Sequence, residues 1–382
     1  MAYFNGNRLK LARIYSGLTT DELGDKIGVT RQGISQFENG KNDPSLSTLI
    51  SLASTLHFPV SFFTKEDANR GVDNVGSTYF RKLLTTSKKY QQEQIAKMKF
   101  VARIYSFLNQ YVEFPHVNLP NFGSDVNPEL AAKRLRVFWK LDDSPITNII
   151  RVMENNGIVV TSFETSTDDV DAYSHKLNDL FIVVLSKNKQ VAARTNFDAA
   201  HELGHILLHN WYEDLDSLSR EEFKSRENEA NAFASAFLLP EEAFRHDFAR
   251  FGQRGRGLER FVAMKQKWHV SIEALLYRSR ELELITTTQY QSLYRLLHKK
   301  GWYHNEPCDD AIPFVSPVML KSAVSLLLKE NVFTPVSFMK SLGDEVGDMF
   351  HDQVEMLLDL PEGMLAPEVN YADNIVQLKN VK

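Results

Sequence analysis

The stretch His201-Glu202-Leu203-Gly204-His205 constrains this chain more than any other. Residues four apart share a helix face, so two imidazoles stand one turn apart with a carboxylate beside the first. Phe197, Ala199, Ala200, Leu203, Ile206, Leu207 and Leu208 supply apolar positions around the pair, as a buried helix requires. Both rings can bind one Zn²⁺ while Glu202 serves as general base and proton shuttle, which is the core of a zinc hydrolase site. One Zn²⁺ per chain is the expected cofactor, although a site of two His and one Glu also accepts Mn²⁺, Co²⁺ or Fe²⁺.

A tetrahedral catalytic zinc takes three protein ligands and keeps one position open, so a third donor is expected from a facing element. The run from Arg226 to Pro240 reads as a helix by composition and is closed by proline. Glu227 and Glu229 lie about 200° apart around such a helix, so at most one faces the metal. Glu227 is the choice, because it shares a face with Ala230, Asn231 and Ala234, whose small side chains allow close approach; Glu229 is the fallback. Asn231, at i+4 from Glu227, is placed to hydrogen-bond a ligating imidazole. His209 continues the 201, 205 stripe, either in the same supporting role or as a capping or core histidine. An extra donor for a developing oxyanion should be a Tyr or His near the cleft. Tyr173 is the weaker candidate for that role, a packed aromatic being the alternative.

From about 170 to 285 the chain resembles the ImmA/IrrE-type zinc-dependent metallopeptidases. The matching pieces are Ala172-Tyr173-Ser174, Ile182-Val183-Val184-Leu185, Arg194 with Phe197, the run Ala200 to His209, the run Glu227 to Pro240, and Val270-Ser271 with Ala274 to Arg278. The family's Glu-x-x-Ala-Asp/Asn pattern maps onto Glu227, Ala230 and Asn231. The resemblance implies an α+β zincin-like fold with a small sheet, and hydrolysis of a peptide bond in a protein substrate.

An independent signal lies at the amino terminus. Thr19-Thr20-Asp21-Glu22 opens a helix with a hydroxyl cap and an acidic first turn, Gly28-Val29 makes a turn, and Thr30 caps a following helix from Arg31 to Glu38. Thr30, Arg31, Gln32, Ser35 and Gln36 mark the candidate DNA-reading face, since Gln pairs with adenine and Arg suits guanine or phosphate. The segment resembles the XRE-type helix-turn-helix repressors, notably in Ser35 to Lys41 followed by Pro44-Ser45 and Leu49. Seven Lys/Arg against six Asp/Glu between 1 and 66 leave no strong basic footprint, so modest affinity per protomer and a homodimer on two half-sites are expected.

The 382 residues, 43% apolar and 24% charged, suit two to three globular domains. The expected layout is mainly α: an all-α helix-turn-helix bundle at 1–66, a linker and long helix at 67–127, a peptidase domain at 128–290 and a C-terminal helical domain of unreadable role at 291–382. The linker is drawn from the Gly-, Asn- and Asp-rich run Lys65 to Ser77. A strand beginning at Gly157 should pair with 181 to 185, and an edge of that small sheet could hold an extended substrate strand. Helical runs are expected near 87–112, 318–329, 335–342 and 344–359. His304 and Cys308 at i, i+4 suggest a metal pair, which Pro307 and the lack of further donors argue against.

A single cysteine, Cys308, excludes a disulfide framework and a Cys-based zinc site. No apolar run approaches the roughly 20 residues of a membrane span, which with the helix-turn-helix signal leads to a bacterial or phage-encoded cytoplasmic protein as the expectation. Two functions emerge: a metalloendopeptidase brought by its DNA-binding domain to a repressor that it cleaves, in a mobile-element or stress-response switch, or a DNA-binding regulator or antitoxin-like protein whose peptidase fold senses a ligand or partner without cutting.

Overall fold

The computed structural model describes residues 4–65, 75–80, 87–123, 126–165, 170–188, 191–210, 218–252, 257–303 and 305–367. Most of the expected linker, Arg81 and His304, with the His304–Cys308 pair it would form, lie outside the described residues. Contacts divide the chain into two units, Met1–Asn69 with Arg103–Val112 and Lys321–Lys382, and Arg70–Ala102 with Glu113–Leu320.

In the first unit, short polar residues start each helix of an amino-terminal bundle. Asn5 accepts from the backbone of Asn7 and Arg8 to open α1 (Gly6–Tyr15), and Thr19 and Glu22 form a reciprocal cap on α2 (Thr20–Ile27). Thr30 accepts from Gly33 N at the start of α3 (Arg31–Glu38), and Ser45 caps α4 (Leu46–Leu56). Leu9, Ala12, Leu23, Ile34, Leu52 and Phe63 are fully buried between them. The α2-to-α3 turn depends on glycine: a Cβ at Gly24 would lie 2.3 Å from Val29 O, and Gly28 caps α2 at φ 71°.

The layout drawn from sequence follows chain order, whereas contacts bring distant segments into this same unit. The last turn of α5 (Lys88–Leu108), α15 (Pro335–Val346) and α16 (His351–Leu358) pack with the bundle. Phe107 meets Phe333 and Phe338 at ring separations of 6.0 and 5.6 Å, and Lys65 pairs with Asp344 and Asp348 at 3.1 and 2.7 Å. The helix expected over 344–359 is broken, because Gly347 adopts φ 109° and leads the chain beside Arg8 and Phe62, where a Cβ would clash.

In the second unit, β1 (Val75–Phe80), β2 (Val159–Phe163), β3 (Ala172–Leu177) and β4 (Leu180–Ser186) form a sheet in the order β1-β3-β4-β2. The expected pairing holds, Val159 lying opposite Ile182 in a parallel β2–β4 ladder, while β1–β3 and β3–β4 are antiparallel. Against the sheet lies α8 (Ala192–Leu208), which packs closely on α9 (Arg220–Leu238). Around these run α6 (Pro128–Phe138), α7 (Ile149–Asn155), α10 (Glu241–Gly252), α11 (Leu258–Trp268), α12 (Ile272–Glu281) and α13 (Thr287–Lys299). A bidentate ion pair from buried Arg278 to Glu129, 2.6 and 2.7 Å, ties α12 to α6.

The start of α14 (Met319–Lys329) is held by α7, since Glu154 Oε1 accepts from Val318 N and Met319 N at 2.9 and 2.8 Å. Burial raises the Glu154 pKa above its ordinary value, the two N–H donors opposing it. A carboxyl with a raised folded-state pKa binds its proton more tightly when folded, so its contribution grows more favourable as pH falls through that pKa. Urea unfolding of wild type and Glu154→Gln should therefore show the stability difference shifting toward wild type between pH 7 and pH 5; parallel curves would exclude a charged, buried Glu154.

Candidate metal centre

Helix α8 is buried along nearly its whole length, and its fully buried polar residues are the expected ones: His201, Glu202 and His205. Gly204 explains how a second helix reaches them. A Cβ at this position would lie 3.1 Å from Ala230 Cα and 3.2 Å from Ala230 O, so glycine against alanine lets the α8 and α9 backbones approach closely.

That approach places Glu227 beside the imidazoles. His201 Nε2 and His205 Nε2 are 3.0 Å apart, and Glu227 oxygens lie 3.5 and 3.2 Å from them. A tetrahedron with bonds of about 2.0–2.1 Å has edges of about 3.3 Å, close to these separations of a Glu227 oxygen from each imidazole, and one donor atom from each residue lies within 4.8 Å of the others, so the group could hold one small cation. Glu229 turns away, its carboxylate 3.3 Å from His209 Nε2.

Hydrogen bonds on the far side of each ring reinforce the fit. Asn231 Oδ1 can only accept, so His201 Nδ1 carries the proton in their 3.0 Å contact, and His201 Nε2 is left with a lone pair. His209 Nε2 donates to Glu229, which leaves His209 Nδ1 as acceptor for His205 Nδ1–H at 2.9 Å, and Ser225 Oγ donates to the other Glu229 oxygen. Two nitrogen lone pairs and a carboxylate then face a common point in a buried site, a donor set that a divalent cation satisfies.

Protonation agrees with this donor set. Burial pushes His205 down to about 4, against the opposing Glu227 carboxylate, and burial followed by the His205 charge lowers His209. For Glu227, burial pulls upward, yet the His201 and His205 imidazoles together hold it down at about 2. Neutral His205 and ionised Glu227 are the forms that bind metal.

Glu202 faces the sheet, where Ser174 Oγ of β3 donates to its Oε2 at 2.5 Å. Ser174 was not singled out as a site residue; its only sequence signal was its place in Ala172-Tyr173-Ser174. Neighbouring Tyr173 projects to the other face, as strand alternation requires, and its fully buried hydroxyl donates to Gln94 Oε1 at 2.8 Å. The structure thus brings Asn231 and His209 to the centre and not Tyr173. A cleft of about 360 Å³ adjoins the centre at Asn231 and is lined also by Asp198, Asn228, Glu273 and Tyr277.

In the amino-terminal bundle, Ile34 and Glu38 of α3 face inward while Arg31 and Gln32 are exposed and Ser35 and Gln36 half-buried. Thr30 is engaged as the helix cap, and Gln36 Oε1 accepts from Asn42 at 2.9 Å. Buried Glu38 instead anchors the helix through Arg13 at 2.5 Å.

Comparison with known proteins divides along the same lines. Residues 153–280 match Peptidase_M78, the IrrE N-terminal-like domain, and residues 9–63 match a helix-turn-helix family. An uncharacterized HTH-type transcriptional regulator of Sinorhizobium medicae is 35% identical over 66 residues, 17% of this chain and 48% of that one. One from Methanocaldococcus jannaschii is 45% identical over 47 residues, 12% of this chain and 71% of that one. Antitoxin HipB of Escherichia coli is 32% identical over 63 residues, 16% of this chain and 72% of its own length. The chain spans about half the length of the first curated relatives it matches.

The outer hydrogen bonds carry a measurable consequence. His209→Ala and Asn231→Ala should each weaken zinc binding about 10- to 100-fold in chelator competition, because a metal-bound imidazole loses the partner that fixes its tautomer. Unchanged affinity in both would mean that the two residues only fill space.

Proposed function

From the premise that the chain belongs to the helix-turn-helix family of transcriptional regulators and carries an IrrE N-terminal-like peptidase domain, we propose that it is a DNA-associated zinc metalloendopeptidase cleaving a regulatory protein, a transcriptional repressor above all. The observation that carries the reading is the convergence of His201, His205 and Glu227, with fully buried Glu202 next to His201 in sequence as the general base. A sensing domain with no chemistry to perform has no use for that base.

His201, His205 and Glu227 would hold the zinc. When bound, zinc supplies Lewis acidity, toward a carbonyl oxygen and toward water, whose pKa it brings from 15.7 to about 7. Glu202 takes the proton of the attacking water and delivers it to the departing amide nitrogen. Ser174 holds one Glu202 oxygen, limiting the rotamers of the carboxylate, while Asn231 and the His209–Glu229 pair orient the imidazoles. Burial around Glu202 and both imidazoles excludes bulk water, which strengthens each electrostatic contact.

The DNA-reading role falls to Arg31, Gln32, Ser35 and Gln36, with Thr30 fixing the start of their helix. Among the described residues no helix is long and apolar enough to cross a membrane. A repressor substrate and an operator suit a bacterial or phage-encoded cytoplasmic protein acting as a dimer on paired half-sites. The names of the relatives favour a second reading, a regulator or antitoxin-like protein whose peptidase fold senses without cutting, since these relatives are named as regulators and an antitoxin.

Elemental analysis comes first: about one zinc per chain in wild type and its loss in His205→Ala are expected. On a cleaved repressor, Glu202→Gln should lower turnover about 10²- to 10⁴-fold with metal content intact. Operator binding should weaken on Arg31→Ala and Gln36→Ala, by about 1–3 kcal/mol for a side chain that contacts a base edge. Repression lost in those two variants but indifferent to Glu202→Gln would select the second reading.

A further inference from the structure

The segment matching the peptidase family, residues 153–280, contains β2, β3 and β4 but not β1. Without β1, the sheet would end at β3, leaving that strand's outer backbone groups open to another strand. The edge in question borders the site, because Ser174 of β3 is hydrogen-bonded to Glu202. An extended peptide adds to such an edge through main-chain hydrogen bonds, which would carry it past the general base.

In this chain the edge is already occupied. Val75–Phe80 runs antiparallel along β3, with Phe80 opposite Tyr173, Tyr79 opposite Ser174 and Thr78 opposite His175. The occupant lies between the helix-turn-helix bundle, whose last short helix ends at Phe63, and α5, which begins at Lys88. Its residue opposite Ser174 therefore sits one strand away from the side chain that holds Glu202.

We propose that β1 is a tethered occupant of the substrate edge, so that the site is self-blocked until this strand leaves β3 and an extended segment of the protein substrate takes its place. This inference rests on the reading of the chain as a peptidase. Two properties of β1 suit a replaceable strand. Its register shifts between Val75 and Thr78, which interrupts the ladder, and its sequence Val-Gly-Ser-Thr-Tyr-Phe includes Gly76 and Ser77, of which glycine is a poor strand former. What such a strand lacks in intrinsic affinity, tethering restores, since short linkers hold a segment at an effective concentration of about millimolar. A free peptide of similar affinity must then compete with a partner that never diffuses away.

The test measures binding rather than cleavage. The probe is a fluorescein-labelled peptide with the sequence of residues 73–82, titrated by anisotropy into full-length, zinc-loaded protein carrying Glu202→Gln. Thr78→Pro and Tyr79→Pro are adjacent, so at least one removes a donor from the ladder, and that variant should bind the peptide about tenfold or more tightly. A second pair controls for misfolding: Val75→Cys with Leu177→Cys, in a Cys308→Ser background, joins residues that face each other across the two strands. Oxidation should abolish peptide binding and reduction should restore it in the same sample. Equal binding in the oxidised, reduced and proline forms overturns the proposal, as does mass-spectrometric cleavage of wild type within 75–80, which would make β1 a substrate. Peptide binding that follows β1 in a protein whose wild type cuts no repressor would uphold the occupied edge and remove the peptidase reading alone.

Discussion

Everything at the centre depends on how closely α8 and α9 approach. The donors come from two helices, and a helix pair normally packs with axes 8–10 Å apart according to the side chains between them. Gly204 set against Ala230 removes those side chains at the level of the imidazoles, with Phe233 closing the contact. Glu227 can then span the remaining gap with its own short side chain, meeting His201 and His205 within 3.5 Å. The glycine inside the His-to-His spacing thus serves packing, which lets His201, His205 and Glu227 converge.

The convergence of His201, His205 and Glu227 was legible in the sequence because it obeys helical geometry. His201 and His205 are fixed by their spacing, and Glu227 is separated from Glu229 by the angle between them on one helix, with Ala230 and Asn231 marking the inward face. Ser174 was not legible as a partner of Glu202, since it lies 28 residues upstream on a strand and nothing in its neighbourhood sets the register of β3 against α8. Tyr173 misled for a related reason: adjacent strand residues face opposite ways, and only the sheet's orientation decides which of Tyr173 and Ser174 meets the helix. The grouping of the C-terminal helices with the amino-terminal bundle and the end of α5 was also hidden, since Lys65 with Asp348 and Phe107 with Phe338 join positions more than 200 residues apart.

Two carboxylates of the region, Glu202 and Glu227, have different surroundings. Glu227 is kept ionised by the rings it faces, despite burial that favours its neutral form. Glu202 accepts a hydrogen bond from the Ser174 hydroxyl of the sheet. A carboxylate that is to ligate a metal must keep its charge, whereas one that is to act as the proposed base must be able to gain a proton and lose it again, so a neutral hydroxyl is the more suitable partner for Glu202 in that proposed role.

The first unit shows a comparable separation of faces. Its C-terminal helices contact Arg8, His57, Phe62 and Lys65, at the start of α1 and beyond the end of α4. Arg31 and Gln32 of α3 remain exposed. Exposed pairs such as His57 with Asp352 contribute at most about 1 kcal/mol, so the attachment relies more on the close fit of Gly347 against Phe62, while Phe338 of α15 packs on Phe107 of α5. Apolar packing of that kind fixes the bundle from behind without adding charge to the face that would meet DNA, and so leaves the polar chemistry of α3 to set whatever sequence preference the domain has.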